Sequence, residues 1–325
     1  MNQHISNEPL DYSALSSKVP FREITKESGK FALIILFSAT TFFVLIVTLE
    51  EAFRMPFSDW FFFLLIVLMF LIYGVRYSYI GAANTIRLKS FAKQNNFSYK
   101  EDIKYDGRQG LIFQEGSSRE FTSILRSKNR AFSEIGNYKY TIGSGKYKQT
   151  YNYGYVRIKL PRRLPHMVLD AKKNNLFGKL SNLPTGFSND QKLELEGDFN
   201  SHFTLYAPTQ YKTDALYVFT PDVMQSMVDA ANDYDCEIID DSLYLYSSSK
   251  LKLADAKSLQ EIVHIANLLN KEFTQQTDYY ADARVGDRSQ NVIAEPGKRL
   301  STKVPIVTII IIIFFSFFYI LSFFS

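Results

Sequence analysis

The sequence predicts an α+β membrane protein with three transmembrane helices and one cytosolic domain of antiparallel or mixed sheet plus helices. Three apolar runs of 19 to 21 residues predict the transmembrane helices, because about 20 helical residues span the hydrocarbon core of a bilayer. Between the second and third runs, short segments rich in Tyr, Phe, Ile and Val predict strands. Two segments with apolar residues three and four apart predict amphipathic helices that pack on the sheet.

The predicted spans are residues 31–49, 60–80 and 304–324. The only charged residue within them is Arg76, near one end of the second span, where a long side chain can reach the lipid headgroups. A polar stretch precedes the first span, so we expect a retained span rather than a cleaved signal peptide. Pro56, in the loop between the first two spans, favours a tight hairpin. No span carries a central ionisable residue, which argues against a pore or carrier formed by one copy.

The flanking positive charges predict the orientation, because Lys and Arg are retained on the cytoplasmic side. We expect a multi-pass protein of the plasma (inner) membrane with its N-terminus and main domain in the cytoplasm and its C-terminus outside. The predicted segments are a cytosolic tail (1–30), an external hairpin loop (50–59), a cytosolic α+β domain (81–273) and a linker (274–303). The positive flanks are Lys18, Arg22, Lys26 and Lys30 before the first span, Arg87, Lys89 and Lys93 after the second, and Lys298, Arg299 and Lys303 before the third.

The second span is expected to continue as a helix to two asparagines at 95–96. The predicted strands are GLIFQ (110–114), REFTSILR (119–126), YKYTIG (138–143), YNYGYVRIKL (151–160), LELEG (193–197) and FTLYA (203–207), with GSGK (143–146) as a hairpin loop. A helix should begin with Thr220 as N-cap and Pro221 as its first residue. CEIIDDSLYLYSS (236–248) predicts a second hairpin that turns at Asp240 and Asp241. Residues 255–273 predict an amphipathic helix with a buried face at Leu259, Ile262, Val263, Ala266 and Leu269.

Charge is distributed unevenly along the predicted cytosolic region. Residues 81–180 contain 20 Lys and Arg against 7 Asp and Glu, a net charge of +13, whereas residues 181–303 contain 11 against 19, a net charge of −8. Either the two halves mix their charges on one surface, or the basic half binds anionic lipid or a protein partner. Nucleic acid is not expected, because no nucleic-acid-binding module is recognisable. The predicted lipid- or partner-binding residues are Arg157, Lys159, Arg162, Arg163, Lys172 and Lys173.

Residues 197–246, GDFNSHFTLYAPTQYKTDALYVFTPDVMQSMVDAANDYDCEIIDDSLYLY, resemble the signature of an uncharacterised group of bacterial membrane proteins with cytosolic α+β domains. RLKSFAKQNNFSY (87–99) and LPRRLPHMVLDA (160–171) are similar to the equivalent segments of that group. The resemblance implies a bacterial plasma membrane and supplies no catalytic residues.

The candidates for catalytic chemistry are few. Asp198, His202 and Asp214 are the weak candidates for general acid/base catalysis, although we expect Asp198 and His202 to point in unrelated directions. GSGK lacks the first glycine and the Ser or Thr of a phosphate loop, and the scattered histidines and single cysteine predict no metal site. Cys236 is expected to be a small core residue.

We therefore expect a non-enzymatic protein without a cofactor. Its cytosolic domain would bind a protein partner or anionic lipid headgroups in a scaffold or regulatory role. The alternatives are a membrane-associated hydrolytic enzyme and a subunit of a multi-span export or envelope complex.

Overall fold

The computed structural model describes residues 8–27, 29–53, 57–175, 181 and 183–302. The third predicted span, residues 304–324, lies outside these residues. The chain divides into two compact units. A helical unit contains Glu8–Glu101 and Lys252–Leu259, and an α+β unit contains Asp102–Leu251 and the described residues from 260 on. Each unit is described by itself.

The helical unit consists of α1 (Ser13–Ser16), α2 (Phe21–Glu27), α3 (Gly29–Phe53) and α4 (Phe57–Gln94). The predicted continuation of the second span is confirmed, since α4 extends through 38 residues to Gln94. Asn95 and Asn96 end it as expected. Asn96 adopts the left-handed conformation (φ 57°) that often follows a helix, and the Asn95 amide donates to the carbonyl oxygens of Phe91 and Asp11.

The chain before the first predicted span packs on α4. Val19 and Ile24 are buried against Ala83 and Ile86. The Arg87 guanidinium donates to the Ser17 carbonyl oxygen at 3.0 Å, in the same region. These contacts fix α2 beside the part of α4 that follows the second predicted span.

Among the side chains that the structure describes, one helix, Leu65–Gln94, is long and apolar enough to cross a membrane. α3 contributes a shorter apolar helix, Leu33–Leu45. One helix could therefore span a membrane by length and composition, where three spans were predicted.

The α+β unit is built on an antiparallel sheet, which confirms the predicted α+β class. Its seven strands follow the order β1-β2-β3-β4-β6-β5, and β7 also pairs with β4. The long strand β4 is central, because β3 pairs with its first half, β6 with its end, and β7 with residues from Gly154 to Leu169. The strands are β1 (Ser98–Lys104), β2 (Ser117–Arg126), β3 (Phe132–Ile142), β4 (Gln149–Ala171), β5 (Lys192–Leu193), β6 (Phe203–Tyr206) and β7 (Asp235–Ser247).

Five helices follow β4 in the sequence: α5 (Phe199–His202), α6 (Lys212–Val218), α7 (Pro221–Ala231), α8 (Ala256–Thr277) and α9 (Glu295–Lys298). The predicted start of α7 is confirmed, with Thr220 as N-cap and Pro221 as first residue, although the Thr220 hydroxyl makes no capping hydrogen bond. The predicted apolar face of α8 is also confirmed, since all five of its residues are buried.

Three strand predictions are wrong. LELEG contributes only Leu193 to a strand, and the rest of this segment forms a loop. GLIFQ forms a short 3₁₀ helix, Leu111–Gln114, that buries Ile112 and Phe113, because a short apolar run does not distinguish strand from helix. CEIIDDSLYLYSS forms one strand rather than a hairpin. Asp240 has a positive φ of 54°, and the β4–β7 register shifts between Lys159 and Leu164. The extra residues of this shift lie in β4, so the two aspartates form an irregular point of a continuous strand, opposite a bulge in β4.

Residues 274–302 are not the free linker that their polar composition predicted. α8 continues to Thr277, and Tyr280, Asp282 and Ile293 are buried in the α+β unit. The Asp282 carboxylate accepts hydrogen bonds from the Tyr211 hydroxyl (2.6 Å) and from the backbone N–H groups of Arg284 and Ala294 (both 2.9 Å). The segment is held by hydrogen bonds rather than by an apolar pattern, which explains why its sequence looks unstructured.

The core of the sheet is aromatic. Phe113 lies over one face, with five ring centroids 5.0 to 5.8 Å away. These rings belong to Phe121, Tyr138, Tyr155, Tyr244 and Tyr246. Because side chains two apart on a strand share a face, the alternating tyrosines of β3, β4 and β7 converge on Phe113.

Candidate functional site

Four of the six predicted lipid- or partner-binding residues are engaged within the domain. Arg157 donates to the Ser242 hydroxyl and Arg162 to the Tyr280 carbonyl oxygen, both at 3.0 Å. Lys172 donates to the Asn200 carbonyl oxygen, and Lys173 forms an ion pair with Asp233 at 2.8 Å. Their cationic groups already have acceptors, so the six residues do not form one free basic surface.

Lys159 and Arg163 differ from the other four. Both are exposed, and within the described residues their side chains make no hydrogen bond or ion pair. Their backbones are engaged: the Arg163 N–H donates to the Asn291 side chain at 2.8 Å, and the Lys159 carbonyl oxygen accepts from the Asn270 side chain at 3.5 Å. These two cations remain available on β4.

The part of the β3–β4 hairpin between Glu134 and Asp170 has no acidic residues. Between Glu134 and Asp170 the sequence contains seven Lys and Arg residues and no Asp or Glu. Lys139, the first of them, forms an ion pair with Glu120 on the neighbouring strand β2. A counter-charge for the rest of the hairpin must therefore come from elsewhere in the fold or from outside the chain.

The hairpin tip, residues 142–148, is the connection between β3 and β4, which confirms the predicted GSGK loop. Positive φ angles at Gly143 (82°) and Gly145 (54°) make the turn possible, and a Cβ at Gly143 would lie 2.5 Å from the Tyr147 carbonyl oxygen. The backbone N–H of Tyr147 donates to the Ser144 carbonyl oxygen at 3.1 Å. The tip is thus a defined turn.

The side chains of the hairpin tip combine apolar and cationic groups. The Tyr147 side chain is 78% exposed and Ile142 is 46% exposed. The Lys146 ammonium lies 5.3 Å from the centroid of the Tyr147 ring, and Lys148 follows directly. An exposed aromatic ring flanked by lysines suits a membrane surface, because the ring enters the headgroup layer while the ammonium groups contact phosphates. The sequence did not predict this site, because GSGK indicates only a turn and does not show that the side chains around it are exposed.

The three acid/base candidates do not form one cluster through their contacts. Asp198 and His202 lie at the two ends of α5, and Asp198 Oδ2 is 3.8 Å from His202 Nε2. The expectation that they point in unrelated directions is wrong, because residues four apart share a helix face. Asp214 instead bonds to the Tyr280 hydroxyl (2.7 Å) and to Arg284 (2.9 Å). Asp198 is 86% exposed, so its pair with His202 is a surface ion pair of little energetic value.

Two buried polar networks were not predicted from the sequence. In the first, the Glu134 carboxylate accepts hydrogen bonds from Arg108, Arg126 and the Tyr155 hydroxyl. Burial, together with the Glu134 charge, raises the pKa of Tyr155 well above its ordinary value. The Arg108 guanidinium also lies 3.8 Å above the Phe121 ring.

The second network is centred on Glu237. His166 Nε2 lies 2.8 Å from Glu237 Oε1, while the Leu111 N–H (2.7 Å) and the Tyr246 hydroxyl (2.6 Å) donate to Oε2. His166 Nδ1 accepts from the Leu300 N–H at 2.9 Å, so its other ring nitrogen carries the proton. In both networks the carboxylate oxygens already accept hydrogen bonds from groups within the domain. This arrangement suits a structural role rather than catalysis.

No group of three or more His, Cys, Asp and Glu side chains within the described part of the chain could hold a metal ion. Cys236 is buried, as expected, and burial raises the pKa of its thiol well above the ordinary value. Such a thiol is a poor nucleophile.

No protein-family model matches the chain, and no curated protein matches it. Among solved structures, it is similar to the crystal structure of the mycobacterial trehalose monomycolate transport factor A, TtfA. The identity is 12%, the TM-score is 0.34, and the match covers 56% of this chain and 93% of that one. At this TM-score the likeness carries no argument about function.

Proposed function

We propose that this chain is a non-enzymatic, multi-pass protein of the bacterial inner membrane whose cytosolic α+β domain binds anionic lipid headgroups through the hairpin tip. Residues 31–49, 60–80 and 304–324 are its proposed spans, with the N-terminus and main domain inside and the C-terminus outside. The role is that of a scaffold or regulator held at the membrane surface. The observation that carries the lipid proposal is Tyr147, exposed between Lys146 and Lys148 in a stretch, residues 135–169, that has no acidic residue.

The membrane anchoring is supported by the surface of α3 and α4. Their large apolar side chains are exposed in the helical unit, among them Leu36, Phe37, Met69 and Phe70. Exposed apolar surface of this extent is characteristic of contact with lipid. The rings of Tyr73 and Tyr77 stack with centroids 6.5 Å apart near one end of the second proposed span. Trp60 is the first residue of this span, about 25 Å from Tyr77 along the helix. Aromatic residues at both ends are typical of a transmembrane helix.

A fluorophore placed at the hairpin tip tests the lipid proposal. Cys236 is buried, so Ser144→Cys adds one accessible thiol that can be labelled with an environment-sensitive dye in the full chain. After reconstitution, we expect a blue-shifted emission in vesicles that contain phosphatidylglycerol, relative to vesicles of phosphatidylcholine alone. The shift should diminish as salt rises, because ions screen the attraction between lysines and phosphate.

The matched control is a label at Glu196→Cys, in the exposed acidic segment around Glu194 and Asp198. This label should give the same emission in both kinds of vesicle. Charge removal by Lys146→Gln together with Lys148→Gln should abolish the response at Ser144→Cys. If the dye at position 144 gives the same emission in both kinds of vesicle, the proposal is contradicted.

A protein partner is a second candidate, because the α+β unit also exposes an apolar aromatic patch. Leu216, Tyr217 and Tyr279 are exposed, Tyr279 by 85%. The ring centroids of Tyr217 and Tyr280 are 5.9 Å apart, so the exposed Tyr217 packs on a buried ring. Tyrosine-rich patches of this kind are typical of protein interfaces. If the chain is a subunit of a multi-span export or envelope complex, spans of other chains should co-purify with it.

The hydrolytic alternative loses its support. It required Asp198, His202 and Asp214 to meet in one pocket, whereas Asp214 is bonded to Tyr280 and Arg284.

A further inference from the structure

A groove of about 530 Å³ lies between α3 and α4 in the helical unit. Its walls are apolar and include Ile35 and Phe42 of α3 and Leu68, Leu71 and Val75 of α4. Phe21, the first residue of α2, also lines it. The volume lies within the range of about 300 to 1,000 Å³ that is usual for ligand sites.

The groove has a single charged lining residue among those the structure describes, Arg76. Arg76 is exposed, and its guanidinium makes no hydrogen bond or ion pair with any described residue. The two hydroxyl groups of the lining already donate elsewhere, Ser38 to the Ile34 carbonyl oxygen (2.7 Å) and Tyr79 to the Val19 carbonyl oxygen (3.3 Å). The groove therefore offers apolar walls and one cation that has no partner among the described residues.

We infer that this groove binds one phospholipid with an anionic headgroup, its acyl chain along the apolar walls and its phosphate paired with Arg76. Arg76 lies near one end of the second proposed span, where its side chain can reach the headgroups, and a phosphate satisfies several of its N–H donors at once. The apolar walls suit a hydrocarbon chain, since burial contributes about 0.8 kcal/mol per methylene group. α2 carries no net charge, with Arg22 and Lys26 against Glu23 and Glu27, so the positive charge at the groove is that of Arg76.

The inference rests on the proposed anchoring of α3 and α4 in a bilayer, which supplies the occupant. It does not rest on the hairpin tip. A protein that binds lipid at the tip but not in the groove would keep the proposed function and lose this inference.

Native mass spectrometry of the full chain in detergent tests the site, with phosphatidylglycerol and phosphatidylcholine of identical acyl chains as probes. We expect phosphatidylglycerol to be retained preferentially, and Arg76→Gln to lower that preference about five-fold, the effect of one cation near anionic lipid. Arg76→Lys should keep part of the preference, because it retains the charge and loses the planar fork.

Two further variants separate the walls from the headgroup site. Ala39→Phe, which fills part of the groove from α3, should reduce retention of both lipids. Lys146→Gln with Lys148→Gln at the hairpin tip should leave retention unchanged. Because Arg76 has no partner among the described residues, its variants should fold, which the circular dichroism of the helices verifies.

Equal retention of the two lipids by the natural chain, or an unchanged preference in Arg76→Gln, would overturn the inference. Loss of preference in the tip variant alone would assign the lipid to the hairpin tip and also overturn it.

Discussion

Phe113→Ala is expected to lower the melting temperature of the α+β unit by about 10 °C. Removal of a buried phenylalanine costs about 3 to 5 kcal/mol, and each kcal/mol corresponds to about 2 to 4 °C in a domain of this size. Phe113 is fully buried and contacts aromatic rings from β2, β3, β4 and β7. Its loss leaves a cavity where these strands meet, which the rigid tyrosines cannot fill.

The measurement is the thermal loss of near-ultraviolet circular dichroism in detergent, which reports on the packed tyrosines. Tyr147→Ala is the matched control, because it removes an aromatic ring that is exposed. That variant should melt within about 1 °C of the natural chain, as expected for a surface substitution. If Phe113→Ala melts like Tyr147→Ala, the aromatic cluster does not stabilise the domain.

Glu237→Ala is expected to be at least as damaging, with a loss of about 3 to 5 kcal/mol, because each buried donor left without an acceptor costs about 1 to 3 kcal/mol. The substitution leaves three buried donors without an acceptor: His166 Nε2–H, the Leu111 N–H and the Tyr246 hydroxyl. Glu237→Gln should also destabilise the domain. The glutamine N–H₂ group is a donor, so it cannot accept the hydrogen bonds that one of the carboxylate oxygens accepts. Glu194→Gln, at an exposed position, serves as the control.

The Glu237 network also predicts a dependence on pH. Burial acts to raise the pKa of Glu237, but its hydrogen bonds with His166, Tyr246 and the Leu111 N–H outweigh burial and hold the pKa below the ordinary 4.5. A lowered folded-state pKa means that this stabilisation is complete above pH 4.5 and is lost as the pH falls through the folded value. The natural chain should therefore lose melting temperature on acidification more steeply than Glu237→Gln. Parallel pH profiles would show that the carboxylate charge is not required.

Local patterns of the sequence were sufficient for the helices. α4, α7 and α8 each combine a clear apolar period with a recognisable start or stop, such as Pro221 or the asparagines after Gln94. The β4–β7 pair was harder, because the local composition at Asp240 and Asp241 is the same for a hairpin turn as for the positive φ within a continuous strand that the structure has there. Only the pairing of β7 with β4 over both halves of the strand distinguishes them.

The binding residues depended on tertiary contacts that the sequence does not display. Arg162 was assigned to a basic surface, yet its acceptor is the carbonyl oxygen of Tyr280, 118 residues away. The segment that contains Tyr280 has the polar composition of a linker. That composition gives no sign that its backbone carbonyl groups accept hydrogen bonds from β4. The hairpin tip remains available because its residues are exposed and its two lysines have no ion-pair partner among the described residues.

The central claim is that α4 passes from lipid into water along its length. Spin labels at Phe70→Cys and Ser90→Cys of the reconstituted full chain test it, since both positions are exposed on α4 and the natural Cys236 is buried. We expect the label at position 70 to collide with oxygen and to be shielded from a water-soluble nickel complex, and the label at position 90 to show the opposite. Equal access of the nickel complex to both positions would contradict the membrane-anchored account.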